Sequence, residues 1–294
     1  MKKFIREFIR RGFIACGFGP LVLAAFYWIF RRQTGIETLT VDQVCLGIFS
    51  LTVLAFVAGG ALDMTKVAGH EGLVLTFGFL MLVGFSAKAG LFPLHGWLPT
   101  AHPAAPAPAS AVLSGVIIKT GVFGILVLST QIFRYDFSWG ILMLILGVIT
   151  MLLGAVLAVF SNDLKRTFAC SSVSQIGFIL VGVAMQCLLG HHNALAVDGT
   201  LLHVVNHASI KLILFPAAGV IYCSTHCFDL NKIKGFGHDK PLLALAMGIP
   251  MASLAGVPGL NGYVSKTLLH EGIVEYIHAV ELEGSFLFSN NFFS

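Results

Sequence analysis

Long apolar runs separated by short polar connections dominate the chain. A bilayer core about 30 Å thick takes roughly 20 apolar residues per helical crossing. Runs of that kind cover residues 13–30, 41–62, 72–92, 109–132, 138–160, 168–189, 194–222 and 241–256, with a further apolar stretch at 261–280. The pattern predicts an all-α, polytopic transmembrane helical bundle with no soluble segment longer than a loop. Three parts follow: a basic N-terminal segment with one span and an uncertain apolar segment (1–71), the main transmembrane domain (72–280), and an incomplete C-terminal span (281–294). Residues 1–11 have a basic face but no small-residue cleavage site after their first hydrophobic run, so this segment reads as retained and not as a signal peptide.

Composition narrows the class. Hydrophobic residues make up 56% of the 294 and charged residues only 11%, with a mean hydropathy of +0.88. A soluble domain carries roughly 25% charged residues, so a water-soluble globule is excluded. The 25 phenylalanines exclude disorder. Six cysteines at scattered spacings do not form a disulfide framework. The net charge of +4 comes from basic residues gathered in short loops, a pattern that points to a membrane surface and not to nucleic acid.

Lys and Arg in short loops resist translocation and set orientation. Three clusters stand out: Lys2, Lys3, Arg6, Arg10 and Arg11; Lys165 and Arg166; and Lys232, Lys234 and Lys240. Two crossings separate the second from the third, which places both on the cytoplasmic side. An even number of spans between the first and second clusters requires that 41–62 be interfacial or re-entrant. The alternative is an ordinary span with a periplasmic N-terminus, which Arg31 and Arg32 favour.

Ionisable residues inside apolar runs carry the functional information, because a central Lys costs about 2.5 to 3.5 kcal/mol on insertion scales. Lys88, Lys119, Lys211 and Lys266 occupy such positions, Lys211 together with His203 and His207. Any one of them could be a snorkelling chain at a span end; four at membrane depth call for a use. His203, His207 and Lys211 are spaced i, i+4, i+8, which stacks them on one helix stripe over about 12 Å of rise. A proton can hop along such a row with water between stations, and imidazole suits the task because it titrates near neutrality. Core histidines satisfied by neighbouring helices are the plainer reading. A metal is disfavoured because the stripe lacks a carboxylate or third His.

Lys88 precedes Gly90 and Pro93, and Lys266 follows Pro250, Gly256, Pro258, Gly259 and Gly262. Broken membrane helices are tolerated only where protein or a water-filled cavity satisfies the freed backbone. Two such breaks in two halves of a chain point to an inverted-repeat transporter fold.

The strings FSAKAGLFPLHGWLPTAHPAAPAPASAVLSGVIIKTGVFGIL, SNDLKRTFACSSVSQIGFILVGV, HVVNHASIKLILFPAAGVIY and SLAGVPGLNGYVSKTLLHEG resemble the antiporter-like proton-translocating membrane subunits. That family is shared by NADH:quinone oxidoreductase, membrane-bound hydrogenases and multi-subunit cation antiporters. The resemblance covers residues 72–275 in order, and SGVIIKTG is most similar to the hydrogenase and cation-antiporter branches. It implies that Lys88 is the lysine on the first broken helix, switched by a neighbouring glutamate. It further implies that Lys119 is the linking lysine, His203, His207 and Lys211 the central relay, and Lys266 the terminal lysine on the second broken helix. Pro93 and Pro258 match the breaks, and the SNDLKR loop matches a cytoplasmic connection.

Family members are longer, with about five spans ahead of the one resembling 13–30, and one of these supplies the glutamate that pairs with the lysine at position 88. Glu37, Asp42, Asp63 and Glu71 lie in or beside connections and do not replace it. The chain therefore reads as truncated, or as completed by a separate polypeptide, with a fuller second half from Ser138 to Lys266. Neither an iron–sulfur spacing nor a dinucleotide glycine pattern occurs. Cys223, His226 and Cys227 in CSTHC read as packing residues in preference to a metal site.

The expectation is a multi-pass protein of a prokaryotic inner or plasma membrane that moves protons through buried Lys and His. It would work beside other membrane and peripheral subunits, with no cofactor, metal or redox site on this chain. A cation/proton antiporter subunit, carrying sodium, and a non-conducting membrane anchor are the alternatives.

Overall fold

The computed structural model describes residues 71–290. The expectations for 13–30, for 41–62 and for the basic N-terminal segment lie outside these residues.

The described chain is helical throughout, with one isolated β-bridge. Helices α1 (Glu71–Ala89) and α2 (Leu98–Ala104) flank the first break. Helices α3 (Ala107–Val112) and α4 (Ile118–Val127) join through a π-helical turn at Leu113–Ile117, and a second π turn, Leu128–Ile132, completes that span. Then come α5 (Phe137–Val159), α6 (Leu164–Leu188) and α7 (Ala194–Thr225). Helices α8 (Pro241–Ala255) and α9 (Asn261–Asn290) flank the second break. Segments Ala107–Ile132, Phe137–Val159, Leu164–Leu188 and Ala194–Thr225 are each long and apolar enough to cross a membrane.

Two boundaries differ from the hydropathy reading. Helix α6 begins at Leu164, not at 168, because the Asp163 carboxylate caps it by accepting the Arg166 N–H at 2.8 Å. A cap of this kind satisfies one of the orphan donors of the first turn, so polar residues can lie inside the helix. Lys165 and Arg166 thus belong to the first turn of a helix. At the C-terminal end, residues 281–290 continue α9 instead of opening a separate helix, since no proline interrupts them.

Both breaks use a left-handed glycine. Gly90 (φ 79°) ends α1 ahead of Pro93, and Gly256 (φ 90°) ends α8 ahead of Pro258. A side chain at either position would meet the steric penalty of the left-handed region.

Helix α6 is buried almost all round, whereas α5 presents Ile145, Ile149, Leu152 and Val156 outward. The two pack antiparallel and unusually close. Gly140, Gly147 and Gly154 of α5 lie seven residues apart, and a Cβ at each would meet Leu188, Val181 and Ser174 of α6 respectively. Small residues in that register let backbones approach, which is how membrane helices gain dispersion contact without a hydrophobic drive.

The connections sort into two ends. The one before α6 and the one after α7 pair directly: Leu164 N–H donates to Phe228 O at 2.9 Å and Leu230 N–H to Asn162 O at 2.9 Å. The Lys165 ammonium lies 4.6 Å from the centre of the Phe228 ring. At the opposite end, Tyr135 packs on His191 with ring centres 4.7 Å apart. The second and third basic clusters therefore share one face, as two crossings require.

Candidate functional site

The face of α6 turned toward α7 carries Phe168, Ser171, Ser172, Gln175 and Phe178, spaced at three or four residues, so that they share one stripe. Opposite it, α7 presents His203, His207 and Lys211, all buried. The packing of these two stripes builds two polar clusters.

The first cluster gathers Lys119, His207 and Lys211. The Lys119 ammonium donates to Ser114 O at 2.6 Å and lies 3.1 Å from His207 Nδ1. Ser114 is in the π-helical turn, and such turns free backbone carbonyls and cluster at functional sites. Lys211, wholly buried, donates to Phe168 O at 2.8 Å and to Ser171 Oγ at 2.6 Å. Ser172 Oγ bonds the same Phe168 carbonyl at 3.0 Å and faces Ser114 Oγ at 2.9 Å. Each ammonium thus has protein acceptors, in a region where an unpaired polar group is costly. His207 Nε2 has no partner among the described residues.

One turn away, His203 Nδ1 lies 3.0 Å from Ser265 Oγ and its Nε2 lies 3.1 Å from Gln175 Oε1. Lys266, next to Ser265, donates to Leu254 O at 2.6 Å, a carbonyl exposed by the end of α8. Its ammonium sits 4.9 Å from the Phe178 ring centre, and that ring lies 6.0 Å from the His203 ring. The second break is clasped to α7: Asn206 Nδ2 donates to Asn261 O at 2.8 Å and Asn261 Nδ2 to Asn206 Oδ1 at 3.2 Å. Ser253 Oγ bonds Asn261 Oδ1 and accepts the Gly262 N–H at 3.0 Å. A Cβ at Gly262 would collide with the Ser253 carbonyl.

Lys88, half-buried, lies in the last turn of α1, two residues before Gly90. Among the described residues no hydrogen bond joins it to the other five candidates. A Cβ at Gly121 would touch the backbone of Ala89 and the Lys88 Cβ, so this helix end lies against α4 just past Lys119. Among the described residues no carboxylate comes within salt-bridge reach of Lys119, Lys211 or Lys266. Of CSTHC, Cys227 Sγ accepts the Asp229 N–H at 3.3 Å, fastening the turn after α7.

Reading the ionisable residues alone misses Ser114, Ser171, Ser172, Gln175 and Ser265. The signal for most of them is the density of hydroxyl and amide groups in CSSVSQIG, inside a run that otherwise reads as a membrane span.

Comparison with known proteins agrees with this architecture. Residues 13–284 match the family model described as NADH:quinone oxidoreductase/Mrp antiporter, TM. The chain is 42% identical over 218 residues to hydrogenase-4 component B of Escherichia coli K12, covering 70% of this chain and 32% of that protein. To NAD(P)H-quinone oxidoreductase chain 4 1 of Picosynechococcus it is 32% identical over 264 residues, covering 86% and 48%. The chain thus spans about a third to a half of the length of these relatives. Among solved structures, a chain of the Mrp complex from Dietzia superposes with a TM-score of 0.64 at 24% identity, over 94% of this chain and 46% of that one. A chain of the archaeal membrane-bound sulfane sulfur reductase gives 0.60 at 23%, over 92% and 50%. At such identities the structures speak for the fold. With its apolar helices and a family match across most of its length, this multi-pass integral membrane chain belongs to the NADH:quinone oxidoreductase/Mrp antiporter transmembrane family.

Proposed function

We propose that the chain moves protons through the membrane as one subunit of a multi-subunit oxidoreductase complex, of the NADH:quinone oxidoreductase or membrane-bound hydrogenase type. The observation that carries this reading is the 3.1 Å contact between Lys119 Nζ and His207 Nδ1, with Lys211 buried in the same cluster. A proton passes from Lys119 to His207 Nδ1 while the Nε2 proton leaves toward Lys211, one turn along α7. His203 and Lys266 extend the row toward the second break, and Lys88 serves the first. Charges a few ångströms apart in a poorly screened interior repel strongly, so a proton held at one station drives the next one on. The partner subunits supply the redox chemistry that moves the first charge.

A cation/proton antiporter is the competing reading, and sodium would need oxygen ligands. The Lys119–His207–Lys211 cluster offers nitrogen and ammonium groups where a cation site would place carboxylates, which favours the proton. The test is proton uptake, followed with a pH-sensitive dye, in vesicles holding the complete purified complex. Lys211→Ala and Lys266→Ala should abolish coupled uptake while electron transfer continues. Sodium-22 flux that persists when proton uptake is lost would transfer the assignment to the antiporter. Wild-type proton uptake in both variants would leave the chain as an anchor.

A further inference from the structure

His102, on α2, belongs to none of the clusters above, yet its surroundings set it apart. It is wholly buried, and neither ring nitrogen has a hydrogen-bond partner among the described residues. Its ring stacks on Phe215 with centres 4.5 Å apart and planes 14° from parallel. Phe215 is the next residue on the stripe of His203, His207 and Lys211, one turn or about 6 Å beyond Lys211, and it meets Phe168 edge-on at 5.8 Å. The Phe168 carbonyl is the one that binds Lys211. Three residues past His102, the carbonyl of Ala105 accepts the Lys165 ammonium at 2.7 Å. The imidazole thus occupies the step between the innermost lysine and the loop face where Lys165 and Phe228 meet. The cations whose charge reaches it are Lys211, Lys165 and Lys119. Its position is held firmly, since Ser110 Oγ donates to the His102 carbonyl at 3.0 Å and fastens the turn between α2 and α3.

We propose that His102 is a further proton station, which links Lys211 to the loop face through water bound at its two ring nitrogens. Buried polar atoms are almost always hydrogen-bonded to protein or to ordered water, and neither His102 nitrogen has a protein partner among the described residues. A neutral imidazole takes a proton on its bare nitrogen and releases the one on the opposite nitrogen. One proton enters, one leaves, and a turn of the ring restores the first tautomer. An aromatic filler would serve the stacking on Phe215 equally well, so packing alone gives no reason for imidazole here.

This inference rests on the reading of Lys119, His207 and Lys211 as a proton path, and the experiment separates the two. Complete complexes carrying His102→Phe, His102→Gln or Lys211→Ala are reconstituted, and proton uptake is compared at matched electron-transfer rates, with thermal unfolding as a check on integrity. Phenylalanine keeps the stack and removes both nitrogens; glutamine keeps hydrogen bonding to water but does not take up a proton. Both should lower uptake by about a hundredfold, the scale of a lost acid–base group. Wild-type uptake in a folded His102→Phe complex overturns the proposal, and should that variant fail to fold, wild-type uptake with glutamine does so. Loss with Lys211→Ala but not with either His102 variant sinks this inference alone, while retention with Lys211→Ala sinks the proton path itself.

Discussion

The ammonium of Lys119 and the Nδ1 atom of His207 stand 3.1 Å apart, although 88 residues separate them in the chain. They meet because the π-helical turn at Leu113–Ile117 offers the Ser114 carbonyl to the lysine, and because Gly115 lets Leu212 of α7 approach closely. In the proposed path these two groups exchange one proton and act as a unit, so the effects of removing them should not add.

Lys119→Met and His207→Phe should therefore each cut proton uptake by about a hundredfold, and the double variant should be no worse than either single one. Uptake measured across the complete double-mutant cycle checks this. Additive losses would mean that the two residues serve separate paths.

Lys266→Met should leave folding and insertion intact. The ammonium is held by a single carbonyl, Leu254 O at 2.6 Å, and by the face of Phe178. Replacing it with an apolar chain of similar length removes an insertion cost of about 2.5 to 3.5 kcal/mol. Membrane yield and unfolding temperature should match or exceed wild type while coupled proton uptake disappears. A variant that fails to insert would assign Lys266 a structural role.

The helices and both breaks were legible in the pattern because a membrane span must be long and apolar, and because glycine and proline mark where it stops. The shared buried face of His203, His207 and Lys211 was legible too, since i, i+4, i+8 spacing fixes a common face. Its partners were not. Ser171, Ser172 and Gln175 have modest polarity and disappear into a window average, and Ser114 matters mainly through a backbone carbonyl freed by a π turn that no residue type announces. Lys165 shows the opposite error. Its charge suggested a loop, but the Asp163 cap and the Ala105 carbonyl allow it to be buried.

Gln175 and Ser265 hold the two nitrogens of His203, at 3.1 and 3.0 Å. Gln175→Leu should weaken proton uptake without affecting assembly, because it frees the ring to turn and leaves a buried nitrogen unpaired, at a cost of about 1 to 3 kcal/mol. Ser265→Ala should do the same more mildly. Uptake equal to wild type in the Gln175→Leu, Ser265→Ala double variant would show that His203 is a packing residue.

Gly154 tests the helix packing independently of transport. A Cβ there would press on the Ser174 backbone and the Cys170 carbonyl, so Gly154→Val should overpack the α5–α6 seam and destabilise the protein by about 1 to 3 kcal/mol. Gly248, inside α8, has nothing within 4 Å of its Cβ position. Gly248→Ala should be neutral or stabilising by up to about 1 kcal/mol through helix propensity. Thermal unfolding of both variants in detergent gives the comparison, and equal melting temperatures would contradict the close antiparallel register.

The shared face of the α5–α6 and α7–α8 connections makes a prediction about orientation. Their backbones bond at Leu164–Phe228 and Leu230–Asn162, so whichever side holds one holds both. The basic residues Lys165, Arg166, Lys232, Lys234 and Lys240 place that side in the cytoplasm, because positively charged short loops are retained there. In intact cells of a cysteine-free background, a thiol introduced as Asn231→Cys should resist a membrane-impermeant maleimide until the membrane is opened. His192→Cys, in the connection at the other end, should react at once. Labelling of both from outside would mean that α7 does not cross the membrane. The reverse pattern would invert the protein, and the proposed path through His102 would then open to the outer side of the membrane.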